Sequence, residues 1–279
     1  MGTTGPSSID PGTNRPYGTK FPLFTVRDMI NVQKAVIDHF GIKKLKFVVG
    51  GSFAGMQALE WSIAYPDMIE KAIVIASAAK TSPLVVGFGE VGRNAIMADP
   101  DFKDGDYGDN QPVKGLSIAR MVAHITYLSR DSLELKFGRD IRENIADVEM
   151  LYGFFGPIFQ VESYLRYQGK KFTDRFDTNS YLYLTKVMDL YDLTRGTNDL
   201  TVNLFEVKAK MLVISFTSDW HFRPTESYEI VKAMMKLGKE ISYVNIDTPY
   251  GHDSFLIKNP MMSNVISSFL LDSVENIKF

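Results

Sequence analysis

Apolar residues along the chain follow two kinds of pattern, which predict strands that alternate with helices. Four runs are short and apolar, as buried parallel strands are: KLKFVVGG, KAIVIASAA, AKMLVISF and ISYVNI. By contrast, FTVRDMINVQKAVIDHFG and TESYEIVKAMMKLG place apolar residues near helical spacing. This alternation predicts an α/β fold built around a parallel sheet.

The first predicted helix has recognisable sequence features at both ends. Thr25 can cap its N-terminus, with Asp28 three residues later in the capping-box position. Gly41 suits the C-terminal stop. Its apolar positions near helical spacing are Val26, Ile30, Val36 and Phe40. We therefore predict an amphipathic helix here.

The pattern changes between about Pro83 and Asn203. Helical stretches alternate with loops there, and no convincing strand appears. A long helical insertion within an α/β framework is typical of a cap or lid. We therefore predict three segments: a first part of the core at 1–82, a helical lid at 83–203, and a second part of the core at 204–279. The first segment begins with an irregular stretch that is rich in Gly and Pro.

Composition excludes several classes of function. The 279 residues are 45% apolar and 23% charged, as in a soluble globular protein, and the net charge of −2 gives no case for a nucleic-acid partner. No apolar run is long enough to span a membrane, and the first residues do not resemble a signal peptide. The absence of cysteine excludes disulfides and zinc–thiolate sites and is compatible with the cytoplasm.

The stretch FVVGGSFAGMQALEW predicts a nucleophile elbow, in which a serine lies on a strained turn between a strand and a helix. Ser52 is flanked by small residues, which such a turn requires. The strict G-x-S-x-G pattern fails only at its last position, Ala54. The alternative is a glycine-rich turn with an incidental serine.

Two further residues favour the elbow. Asp219 follows the strand MLVISF, and His252 follows the strand ISYVNI. Both would lie at carboxyl ends of parallel strands, where ligand sites form, and the order Ser, Asp, His is that of α/β-hydrolases. We predict Ser52 as nucleophile, His252 as base and Asp219 as the acid that orients it. An exposed loop aspartate and a surface histidine are the alternatives.

Other residues complete the set of candidates. The backbone N–H of Phe53, directly after the nucleophile, can donate to an oxyanion. His221 could compete as the base, although it does not follow a strand of its own, and we expect structural roles for His39 and His124. No metal-ligand spacing or phosphate-binding glycine loop occurs in the sequence.

Long motifs across the chain resemble the homoserine O-acetyltransferase family: GTTGPSSIDPGTNRPYG, FPLFTVRDMINVQKAVIDHFGI, GGSFAGMQALEWSIAYPD, ARMVAHITYLS, VESYLRYQGKKFTDRFDTNSYLYLTKVMD and YGHDSFL. The resemblance implies an α/β-hydrolase core with a helical lid that also forms a homodimer interface. It implies transfer of an acetyl group from acetyl-CoA, as co-substrate, to L-homoserine in methionine biosynthesis. No bound cofactor is expected.

The resemblance also assigns residues. The family's nucleophile, acid and base fall on Ser52, Asp219 and His252. Its arginine for the amino-acid carboxylate falls on Arg93 in VGRNAI, and its aspartate for the substrate amine falls on Asp253. A guanidinium suits a carboxylate, and a carboxylate suits an ammonium group.

The chain departs from the family in two respects. Phe53 and Ala54 stand where the family usually has a GGSMGG-type turn. The family's amino-terminal portion, which carries the first strands and the loop with the second oxyanion donor, has no counterpart here. We therefore expect the strand before Ser52 to have an open, apolar edge that favours aggregation.

The sequence is compatible with several hypotheses about function. The leading hypothesis is a two-step acyl transfer through a Ser52 acyl-enzyme. Within the family, the acceptor could be serine or another alcohol, and the donor succinyl-CoA. A plain esterase or thioesterase is a further alternative. A non-catalytic fragment, such as a truncated product, a processed subunit or half of a split enzyme, is the alternative from another class.

Overall fold

The computed structural model describes residues 4–142 and 156–271. Along the chain the strands are β1 (Ile9–Asp10), β2 (Arg15–Pro16), β3 (Leu45–Gly51), β4 (Ile69–Ile75), β5 (Lys210–Phe216) and β6 (Ile241–Ile246). The helices are α1 (Val26–His39), α2 (Phe53–Ala64), α3 (Pro83–Met97), α4 (Val113–Tyr127), α5 (Arg130–Phe137), α6 (Gln160–Thr173), α7 (Thr178–Leu190), α8 (Leu200–Leu204), α9 (Pro224–Lys236) and α10 (Pro260–Leu271). The α/β class is thus as predicted.

The chain divides into two units, each formed by two stretches of sequence. We call Met1–Leu23 with Pro83–Lys186 the helical unit, and Phe24–Ser82 with Val187–Phe279 the sheet unit. The helical unit contains most of the predicted lid. It also contains the N-terminal residues, which the sequence pattern assigns to the core. Residues 187–203, expected in the lid, belong to the sheet unit.

The sheet unit is organised by four parallel strands in the order β3, β4, β5, β6. Side chains alternate between the two faces, so that Ala72 and Val74 join one apolar cluster while Ile73 and Ile75 join another. Apolar side chains of α10 pack on the second cluster. Because both faces of β4 and β5 are covered, each strand has an uninterrupted apolar run, at 72–75 in β4 and at 211–214 in β5.

The ends of α1 are as predicted. Thr25 Oγ1 accepts from the backbone N–H of Asp28 at 3.3 Å, and Asp28 Oδ2 accepts from the N–H of Thr25 at 2.8 Å. Gly41 has a left-handed φ of +69° just beyond the helix. The apolar positions divide into two groups: Val26 and Ile30 are buried, whereas Val36 and Phe40 are 51% and 71% exposed.

Strand β3 is an edge of the sheet, since among the described residues it pairs with β4 alone. Its side chains Phe47 and Val49 are 49% and 48% exposed. A groove lined by Val48, Val49, Ala54 and Trp61, among others, runs beside it. The expected open, apolar edge is therefore present.

The helical unit is held together by close helix contacts. α3 packs on α4, and α4 on α6. A Cβ on Gly115 would lie 2.5 Å from the carbonyl oxygen of Ala95, so this α3–α4 contact requires glycine. The N-terminal residues belong here because Tyr183 donates its hydroxyl to the carbonyl oxygens of Thr19 and Phe21, at 3.0 and 2.6 Å.

Two further predictions concern the lid and the membrane. No strand lies between Pro83 and Asn203 in the part described, apart from isolated bridges; residues 143–155 of the predicted lid lie outside it. Within the described ranges, no helix has the length and apolar character needed to cross a bilayer.

Candidate active site

The chain turns sharply between β3 and α2, and Ser52 occupies the turn. Its backbone has φ +57° and ψ −127°, a conformation that residues other than glycine rarely adopt. β3 ends one residue before it and α2 begins one residue after it. This is the strained strand-to-helix geometry of a nucleophile elbow.

Small neighbours make this turn sterically possible. A Cβ on Gly50 would collide with the carbonyl oxygen of Ala54, and one on Gly55 would lie 2.5 Å from the Cβ of Ser77. Ala54, where the strict elbow pattern has glycine, is exposed. Its methyl group is therefore accommodated at the surface of α2.

The carboxylate of Asp219 is buried and held by three hydrogen bonds. Its Oδ1 accepts from the backbone N–H groups of His221 and Phe222, both at 2.9 Å. Its Oδ2 lies 2.8 Å from Nδ1 of His252. The two backbone donors leave the second oxygen directed at the histidine.

His252 connects this carboxylate to the serine. It lies in a 3₁₀ turn, Gly251–Leu256, after β6 and is 2% exposed. Its Nε2 is 2.8 Å from Ser52 Oγ. Because an ionised carboxylate can only accept, Nδ1 carries the proton that Asp219 binds, and Nε2 accepts from the serine hydroxyl.

The structure thus brings together the three residues that the sequence singled out. A serine, a histidine and a carboxylate in this sequence of hydrogen bonds can activate the serine oxygen for attack on a carbonyl carbon. The catalytic roles themselves remain predictions.

Three rings surround the imidazole of His252. The centroid of the His221 ring is 4.8 Å away, and those of Phe222 and Phe255 are each 5.5 Å away. Burial, and secondly the charge of His252, lower the pKa of His221 to about 3. His221 is therefore neutral near pH 7. His252, not His221, contacts Ser52. No pattern in the sequence predicts these ring contacts.

Phe53 and Asp253 lie directly after the nucleophile and the base. Phe53 is the first residue of α2, and the first N–H groups of a helix have no partner within the helix. Its N–H is thus available in principle for an oxyanion. Asp253 is half-buried within the 3₁₀ turn.

Arg93 belongs to the helical unit. It lies in α3, is 5% exposed, and donates from Nη2 to Glu90 Oε2 at 2.9 Å. The hydrogen bond from Arg93 is the main cause that lowers the pKa of the Glu90 carboxyl. A buried guanidinium held in one orientation suits recognition of a carboxylate.

The remaining histidines are placed differently. His39 is the last residue of α1 and is exposed. His124 is buried in α4, where burial, and then Arg120 and Lys136, lower its pKa to about 4. Over the ranges that the structure describes, no group of three potential ligands could hold a metal ion.

Comparison with a protein-family model gives an extensive match. Residues 4–258 match the model described as the alpha/beta hydrolase fold. This agrees with the parallel sheet and with the turn at Ser52.

Curated relatives are similar over almost the whole chain. A homoserine O-acetyltransferase of Methanococcus vannielii is 52% identical, with 99% of this chain and 56% of the relative covered. A homoserine O-succinyltransferase of Paraburkholderia phymatum is 48% identical, with 96% and 71% covered. The chain spans about half the length of several curated relatives that it matches.

Solved structures of similar proteins superpose on almost the whole chain. A homoserine O-acetyltransferase from Bacillus anthracis superposes with a TM-score of 0.82 at 28% identity, covering 98% of this chain and 69% of that one. Esterase E22 superposes with a TM-score of 0.85 at 28% identity, covering 96% and 72%.

Proposed function

The chain belongs to the α/β-hydrolase fold family and, within it, to the homoserine O-acetyltransferases and O-succinyltransferases, and on this premise we propose that the protein transfers an acetyl group from acetyl-CoA to the hydroxyl of L-homoserine. The observation that carries the proposal is the pair of 2.8 Å contacts that His252 makes with Ser52 and Asp219. A serine activated in this way can take an acyl group from a thioester and pass it to an alcohol.

In the first step, Ser52 Oγ attacks the thioester carbonyl carbon while His252 Nε2 takes the hydroxyl proton. The backbone N–H of Phe53 donates to the oxyanion of the tetrahedral intermediate. When the intermediate collapses, the carbon–sulfur bond breaks and His252 gives the proton to the CoA sulfur. Ser52 is left acetylated, and Asp219 stabilises the imidazolium that forms transiently.

In the second step, the homoserine hydroxyl replaces CoA. His252 takes the proton of this hydroxyl as its oxygen attacks the acetyl carbonyl carbon. A second tetrahedral intermediate collapses with cleavage of the bond to Ser52 Oγ, which recovers its proton from His252. The products are O-acetyl-L-homoserine and the free enzyme, which fits a place in methionine biosynthesis.

Two charged residues are proposed to bind the amino-acid part of the acceptor. The guanidinium of Arg93 can bind its carboxylate through two parallel hydrogen bonds. Asp253, next to the base, can pair with its ammonium group. No metal or bound cofactor enters this mechanism, and acetyl-CoA acts as a co-substrate.

A succinyl donor is the second candidate, because relatives at 48% and 47% identity carry the name homoserine O-succinyltransferase. The Ser52 chemistry is the same for either donor. The two differ only in the group attached to the thioester carbonyl, where succinyl-CoA has a carboxymethyl group in place of one methyl hydrogen of acetyl-CoA.

Release of free CoA thiol tests these proposals. The purified chain should release CoA from acetyl-CoA over many turnovers only when L-homoserine is present, and without it should release one equivalent per chain as Ser52 is acetylated. Ser52→Ala should release none. A parallel series with succinyl-CoA and with L-serine ranks donors and acceptors. Release of many equivalents of CoA without any amino acid would instead indicate a thioesterase, and equal release by Ser52→Ala would refute the proposal.

A homodimer through the lid helices is proposed for the quaternary structure. Ile118 and Ile125 of α4 are 47% and 39% exposed, lie seven residues apart on one helical face, and Tyr167 of α6 is 59% exposed. Sedimentation of Ile118→Lys against the unchanged chain tests this, since a lysine buried in the dimer interface would shift the dimer towards monomer.

A cytoplasmic location is proposed because a chain without cysteine suits a reducing compartment.

A further inference from the structure

The loop after β5 and the loop after β6 are joined by two adjacent hydrogen bonds. Asp219 Oδ2 binds Nδ1 of His252 at 2.8 Å. One position earlier in both loops, Ser218 Oγ accepts from the backbone N–H of Gly251 at 2.9 Å. The residue before the acid therefore holds the residue before the base.

Gly251 is the point at which the base could move. It is buried and has a left-handed φ of +74°, and glycine has more backbone freedom than any other residue. Its carbonyl oxygen accepts from Ser254 Oγ at 2.6 Å. Two serine hydroxyls thus fix the two sides of a glycine that would otherwise be free to rotate.

We propose that Ser218 is a positioning residue, which acts through Gly251 to keep His252 Nε2 at hydrogen-bond distance from Ser52. Without the Ser218 oxygen, the N–H of Gly251 loses its acceptor in a buried place, and rotation at the glycine can restore a partner. Such a rotation moves the adjacent imidazole. A displacement of about 1 Å at a reacting group can cost about 100-fold in rate.

A neighbouring contact provides the matched control. Thr217 Oγ1 donates to Asp247 Oδ1 at 2.7 Å and accepts from the N–H of Thr248 at 3.2 Å. These bonds join the same two loops, but they lie four or more positions from His252, and Thr217 is exposed. Thr217→Val therefore removes a loop connection without releasing Gly251.

The experiment follows the reactivity of Ser52 in the full chain. A fluorophosphonate phosphonylates an activated serine, forming the Oγ–P bond as fluoride and the hydroxyl proton leave. Ser218→Ala should slow this labelling by about 10- to 100-fold, and Thr217→Val should leave the rate within about 2-fold. Ser218→Cys, which is similar in size but is a weaker acceptor, should be intermediate.

Proton NMR gives a second readout that needs no reaction. The Nδ1–H of His252 in its bond to Asp219 should give a low-field resonance in the unchanged chain and in Thr217→Val. In Ser218→Ala it should broaden or shift upfield. The proposal rests on the proposed function only through Ser52 as nucleophile. If Ser52 of the unchanged chain does not label, the proposed function fails and the resonance alone decides on Ser218.

Two results would overturn the proposal. In the first, Ser218→Ala and Ser218→Cys fold, label Ser52 at the unchanged rate and keep the resonance. In the second, both variants fail to fold, in which case the Ser218 contact is structural only. If Ser218→Ala alone fails to fold, an intermediate rate for Ser218→Cys supports the proposal and an unchanged rate rejects it.

Discussion

The Nε2 atom of His252 lies 2.8 Å from the Oγ of Ser52, although 200 positions of sequence separate them. Their strands, β6 and β3, are the two outer strands of the sheet order. Three strand spacings amount to about 14 Å, so the loop after β6 must reach across the carboxyl ends of the inner strands. Asp219, which follows the inner strand β5, meets the histidine along this path.

Replacement of Asp219 by asparagine should reduce acyl transfer by about 10⁴-fold. The side chain must accept from two backbone N–H groups and also accept from His252 Nδ1–H. An amide cannot do both, so the imidazole loses its tautomer or its orientation. The rate of CoA release measures this, with Asp247→Asn in the exposed neighbouring loop as the control.

Replacement of Gly50 by alanine should destabilise the sheet unit by about 1–3 kcal/mol. The new Cβ would collide with the backbone carbonyl of Ala54, which cannot move without distorting the elbow. Gly87→Ala is the matched control, because Gly87 lies inside α3 and no atom approaches its Cβ position within 4 Å. It should stabilise the chain by about 0.5–1 kcal/mol. Denaturant unfolding measures both, and equal effects would contradict the account.

A charge on the open edge of the sheet should reduce aggregation. Val49 lies on β3 and is 48% exposed, and a lysine on an edge strand discourages pairing with another chain. Light scattering during heating should rise later for Val49→Lys than for the unchanged chain. Val202→Lys, at a 56% exposed site on α8, should scatter as the unchanged chain does. Earlier scattering by Val49→Lys would be the contrary result.

Replacement of His221 by phenylalanine should weaken the dependence of stability on acid pH. The pKa of His221 is about 3 in the folded chain and about 6.5 when unfolded, so only the unfolded chain binds this proton between these values. The contribution of His221 to the free energy of unfolding is therefore fully present above pH 6.5. It decreases as the pH falls towards 3, by up to about 1.4 kcal/mol per pH unit. Unfolding free energies from pH 7 to 5 should fall less steeply in His221→Phe.

His124 offers an independent check of the same effect. Its pKa is lowered to about 4, so His124→Phe should flatten the same pH profile, and the double variant should flatten it further. Slopes equal to that of the unchanged chain in both single variants would show that the two rings are hydrated enough to bind protons in the folded state.

Local sequence features predicted the strands and the site most successfully. Thr25 with Asp28 fixes the start of α1, and the strand ends before Ser52, Asp219 and His252 follow from apolar runs that stop at polar or glycine residues. Parallel strands place their carboxyl ends at one edge of the sheet. The proximity of these three side chains was therefore predictable from the sequence alone.

Contacts between distant segments were not predictable in this way. Nothing in the local pattern distinguishes the exposed Val36 and Phe40 from the buried Val26 and Ile30, because burial depends on what packs against each turn of α1. The ring of His221 against His252, and the bond from Gly251 to Ser218, depend on how two loops meet in space. That residues 1–23 belong to the helical unit also could not be predicted from the local pattern, because it depends on contacts with a distant part of the sequence.

Intact-mass measurement after incubation with acetyl-CoA tests the central claim most directly. The account predicts that the chain gains one acetyl group, that peptide mapping places it on Ser52, that L-homoserine removes it, and that Ser52→Ala gains none. An unmodified chain, or equal acetylation of the unchanged chain and Ser52→Ala, would contradict the claim that Ser52 is the acyl-carrying nucleophile.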